Sequence, residues 1–140
     1  MRTIIVSLVG VAVLAAAVPA LAHHAFSAEF DATKPVRLEG KITKMEWINP
    51  HSWMHVDVTK DDGTVESWMV EAGPPGALVR RGWKKDSVEP GTAVLVEGYQ
   101  AIAGGFLMNG RDVTLPDGSK LFAGSSGTGA PLDGSDPTER

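Results

Sequence analysis

Residues 51–71 read H-S-W-M-H-V-D-V-T-K-D-D-G-T-V-E-S-W-M-V-E. The first nine alternate. Met54, Val56 and Val58 point one way, and Trp53, His55 and Asp57 the other. A period of two is the mark of a half-buried strand. Asp61-Asp62-Gly63 is a tight-turn signal, which makes Thr64–Glu71 the hairpin partner, with Trp68 and Val70 on one face and Met69 on the other.

Upstream, Val36–Ile48 (V-R-L-E-G-K-I-T-K-M-E-W-I) has the β-branched and apolar content of a strand, and Gly40 inside it predicts a bulge or bend. Asn49-Pro50 breaks the pattern before His51. Residues 23–35 read as an extended arm ended by Pro35. Downstream, Gly73-Pro74-Pro75-Gly76 interrupts the sheet, and residues 77–82 allow a turn or two of helix with Gly82 as its stop. Thr92–Tyr99 is a strand with Val94 and Val96 inward. Phe106–Met108 and Arg111–Leu115 are two further strand pieces, and Leu121-Phe122 closes the sheet. From Ala123 the chain turns to Gly, Ser, Thr, Pro and Asp, and residues 123–140 are expected to be disordered. Three strands, a short helix and two strands in residues 36–122 predict an all-β domain: a small five-stranded, OB-like Greek-key barrel. A β-sandwich is the competing architecture.

The N-terminus has its own logic. Arg2 is followed by an uncharged apolar run, Ile4–Val18, and then by Ala20-Leu21-Ala22. This is the order of a secretory signal peptide over residues 1–22, cleaved before His23. Val18-Pro19-Ala20 offers a second site, with a mature start at Leu21. The run is shorter than the roughly 20 apolar residues that span a bilayer. The expectation is a periplasmic or secreted protein with no membrane anchoring after cleavage. The chain has no cysteine, hence no disulfide and no lipoprotein cysteine. A formal net charge of −4 with scattered basic residues argues against nucleic acid as a partner.

The pattern H-H-A-F-S-A-E-F-D after the signal peptide, then G-K-I-T-K-M-E-W-I-N-P-H-S-W and G-x-x-V-x-V-E-G, resembles a family of small exported bacterial proteins of uncharacterised function. The resemblance spans His23 to about Leu121. It implies architecture and location, and no activity.

All four histidines fall in two places, His23-His24 and His51-x-x-x-His55. Imidazole is the commonest side-chain metal ligand. On a strand His51 and His55 stand roughly 13 Å apart, at about 3.3 Å per residue, too far for one ion with metal–nitrogen bonds of about 2.0–2.1 Å. The candidate metal ligands are therefore His23, His24 and His51. A histidine at the mature N-terminus offers its α-amine and its imidazole to one ion, and His51 would complete a T of three nitrogens suited to Cu(II). The arrangement resembles the histidine brace of copper monooxygenases and periplasmic copper carriers. It rests there on His23 alone, and an oxidative copper enzyme is the weakest of three readings. A start at Leu21 would place a histidine third, another chelate for copper. The plain alternative is a polar arm with free histidines. Trp47, Trp53 and His55, around the N-P-H turn, are candidate residues for a metal-free barrel holding a small molecule or a periplasmic protein partner. Against them stands an ordinary role for tryptophan, closing the ends of a small core. No catalytic signature is present: there is no cysteine nucleophile and no G-x-S-x-G, and Ser52 beside His51 points away on a strand.

Overall fold

The computed structural model describes residues 26–124. The expected signal peptide (residues 1–22), His23, His24 and the expected tail from 125 to 140 lie outside them. A helical turn at 26–29 leads into β1 (Phe30–Glu46), β2 (Ser52–Thr59) and β3 (Val65–Ala72). Then come α1 (Pro75–Arg80), a 3₁₀ turn (Lys85–Val88), β4 (Ala93–Ala101), β5 (Leu107–Thr114) and β6 (Lys120–Phe122). Among the described residues the fold is a mostly antiparallel sheet of six strands with short helices.

The hairpin forms as its alternation requires. Val56 faces Trp68 and Met54 faces Val70 across β2 and β3, with this row buried. The Asp62 carboxylate accepts from the backbone N–H of Thr64 at 2.9 Å, and Gly63 takes φ +84°, a conformation open to glycine at no steric cost.

β1 is long enough to serve two neighbours. Its first part pairs with β4 and its last part, Lys41–Glu46, with β2. Gly40 lies in the part that pairs with β4, where a Cβ would meet the Asp57 carbonyl oxygen at 2.4 Å. The register shift itself falls between Ile42 and Lys44. The strand begins at Phe30, six residues before Val36, and passes through Pro35, which pairs with Tyr99 beside a second register shift. Irregular strand positions tolerate the missing proline N–H.

β4 and β5 are antiparallel, and β5 also runs parallel to β3, with Met69, Val70 and Glu71 opposite Leu107, Met108 and Asn109. Each of β1–β5 thus has at least two hydrogen-bonded neighbours. The two strand pieces expected around residues 106–115 are one strand. Asn109-Gly110 continues it, because Gly110 lets β5 approach Val70, whose Cγ1 would lie 2.6 Å from a Cβ there.

The core gathers Ile42, Met54, Val56, Val70, Val96, Met108 and Val113. α1 adds Leu78, and the chain after it adds Trp83. Pro75 opens this helix two residues ahead of position 77, at a site where its missing N–H costs nothing. Gly82 at φ +92° ends it, with Trp83 N–H returning to the Leu78 carbonyl at 3.1 Å. Trp83 Nε1 donates to the Phe122 carbonyl at 2.8 Å, fastening β6.

The order runs past the boundary expected at 123. Ala123 is fully buried; its N–H donates to the Arg111 carbonyl at 2.6 Å, and its carbonyl accepts from Gly73 N–H at 2.8 Å. A small side chain and two satisfied backbone groups hold it in the sheet where composition alone reads as tail. A second apolar cluster, Phe26, Phe30 and Ala101 with Tyr99 and Leu107, seats the 26–29 turn on β4 and β5.

Candidate functional site

His51 sits at the entry to β2, after the cis Asn49–Pro50 bond. Its Nδ1 lies 3.2 Å from Oε1 of Glu71. Sheet pairing puts Trp53 and Asn109 on either side of Glu71, all on the face opposite the core row. Glu71 nonetheless has only 3% of its surface exposed. Asn109, wholly buried, donates its side-chain amide to Glu71 Oε1 at 3.3 Å, while its Oδ1 has no partner.

The electrostatics follow from that burial. Desolvation pushes the Glu71 carboxyl above the ordinary glutamate value. The charge of His51 and the hydrogen bonds from Asn109 and His51 act the other way, and Glu29 adds to the upward push. Phe26 stacks edge-on with Tyr99 at 5.7 Å, and Tyr99 is the register neighbour of Asn109. The chain therefore enters the domain over the face that carries His51, Glu71 and Asn109.

His55 occupies a different environment. Its Nε2 is 2.9 Å from Glu46 Oε2 on the β1–β2 surface. A hydrogen bond from Lys44, and then that of His55, hold the Glu46 carboxyl below its ordinary value. His51 and His55 thus have separate carboxylates. Trp47 packs edge-on against Trp83, ring centres 6.5 Å apart, and leans on the main core. Trp53 is half-buried and paired across strands with Glu46 and Glu71. Trp47 and Trp53 thus have different surroundings. Trp68 is also buried, its Nε1 bonded to Glu66 at 3.0 Å.

Two residues of the site, Glu71 and Asn109, escape the sequence reading. Alternation gives Glu71 to the solvent side of a hairpin, whereas β5, distant in sequence, pairs beside it and sets Asn109 against its carboxylate. The one available signal is a carboxylate directly after the apolar run Trp68–Val70. Among the described residues no three His, Cys, Asp or Glu side chains group closely enough to hold a metal ion by themselves.

Fold and site together define a small β-rich domain with a half-exposed histidine set against a buried glutamate–asparagine pair on one sheet face. The chain belongs to DUF6152, a family of unknown function, whose model matches residues 11–107. That span holds all four histidines and Glu71. No curated protein and no solved structure matches the chain.

Proposed function

We propose that this chain is exported to the periplasm or beyond as a small binding module, and that it takes copper or a related late transition metal through His51 and the N-terminal histidines His23 and His24. One observation carries the metal reading: His51 is held 3.2 Å from a buried carboxylate on the face over which the N-terminal segment enters. His24 stands two residues before Phe26, so few residues separate the arm's donors from that face. The α-amine and imidazole of His23, with the His51 imidazole, would supply nitrogen ligands of the kind Cu(II) favours. The export reading rests on the Arg2, Ile4–Val18 and Ala20-Leu21-Ala22 pattern.

The fold, in the same reading, is an OB-like Greek-key barrel. Its support is the parallel β3–β5 pairing added to the antiparallel neighbours, with α1 between β3 and β4. A metal-free adaptor is the second reading. It is favoured by the exposed side chains of Met69 and Phe106, which are joined by a Met69 N–H bond to the Phe106 carbonyl at 2.9 Å. Intact mass spectrometry of the exported protein, with and without Cu(II), tests the first reading. It predicts a start at His23 and one bound copper per chain. Retention of Met1, or no copper retained, would overturn it.

A further inference from the structure

We propose that Glu71 is the positioning residue for His51. It takes the Nδ1–H of the imidazole and leaves Nε2 as the one ring nitrogen presented to an ion, while Asn109 holds the carboxylate in place. The inference deepens the metal reading and rests on it. The geometry comes first. Glu71 Oε1 stands 3.2 Å from His51 Nδ1 and 3.3 Å from Asn109 Nδ2, so one carboxylate oxygen gathers both groups. Pairing between β2 and β3 fixes the height of Glu71 against His51, since Trp53 is opposite Glu71 and Ser52 N–H bonds the Gly73 carbonyl at 3.2 Å. Pairing between β3 and β5 fixes Asn109 opposite Glu71.

The surroundings then say what the carboxylate does. The Glu71 side chain is 5% exposed and that of His51 is 29% exposed. The acid is thus shielded, and the imidazole is the part that meets solvent. A carboxylate behind a histidine fixes the tautomer and ring orientation and raises the basicity of the opposite nitrogen. At His55, by contrast, Nε2 is bound to Glu46, whose side chain is 30% exposed and is also contacted by Lys44. His55 therefore meets a half-exposed carboxylate through Nε2, and His51 meets a buried one through Nδ1.

The test separates this claim from the metal reading. Nitrogen-15 NMR of the exported protein without metal, at a pH where His51 is neutral, reads the tautomer. Wild type should carry Nδ1–H, the minor form of a free histidine side chain. Glu71→Ala should return His51 to Nε2–H. Glu71→Gln, which keeps a carbonyl acceptor, should retain Nδ1–H. Cu(II) titration of the same proteins should give about 10–100-fold weaker binding for Glu71→Ala and a smaller loss for Glu71→Gln. Nε2–H in wild type, or equal copper losses in the two variants, would overturn the positioning role. The expected tautomers with no copper binding in wild type would overturn the metal reading, and the ligand half of this proposal with it.

Discussion

Glu71 and Asn109 stand opposite each other where β3 runs parallel to β5, and the Asn109 amide donates to the Glu71 carboxylate at 3.3 Å. The contact joins residues 38 positions apart. It makes a surface-phase position of a hairpin into a buried one and couples the site to the sheet's parallel seam. Replacing Glu71 by Ala removes the acceptor from Asn109 and His51 together. A buried donor left without its partner costs about 1–3 kcal/mol. Urea unfolding of Glu71→Ala should show a loss of that order, with a smaller change for Glu71→Gln.

The same carboxyl gives a pH dependence of definite sign. Burial raises its folded-state pKa above the unfolded glutamate value. In the interval between the two values the folded state binds more protons, so stability falls as pH rises. The contribution is fully present below the unfolded value and is lost as pH climbs through the folded one. Thermal unfolding across that interval should show the slope in wild type and a flatter profile in Glu71→Gln. Identical slopes would remove Glu71 as its source.

Gly98 faces the backbone of Asn109. A Cβ at Gly98 would lie 2.0 Å from the Asn109 carbonyl oxygen and 2.8 Å from the Met108 terminal methyl. The methyl can move and the carbonyl cannot without breaking the β4–β5 ladder. Gly98→Ala should therefore cost about 1–3 kcal/mol or more by overpacking, read by chemical denaturation. A neutral substitution would mean the strands separate more easily than the pairing implies.

The hairpin was legible because its information is local. Met54, Val56 and Val58 alternate with Trp53, His55 and Asp57, and Asp62-Gly63 marks the turn. The helix was legible through Gly82, whose φ of +92° is the stop that its place in the sequence suggests. Other features depend on distant partners. Phe30–Lys34 reads as arm until β4 supplies the edge it joins, and Ala123 reads as tail until Arg111 and Gly73 bond it. In the site, His51 was visible as one of four histidines. Glu71 and Asn109 were not, since they come together only where β3 meets β5, a pairing between segments distant in sequence.

The proposed copper site contains His51, and not His55, and is completed by the N-terminal histidines His23 and His24. Isothermal titration with Cu(II) of protein starting at His23, the proposed mature start, tests this by comparing wild type, His51→Ala, His55→Ala and a form carrying extra residues before His23. Expected are one site in wild type, a loss of about tenfold or more in His51→Ala and in the extended form, and affinity near wild type in His55→Ala, whose ring is engaged with Glu46. Equal losses for His51→Ala and His55→Ala, with no effect of the extension, would contradict it and place any metal on the hairpin instead.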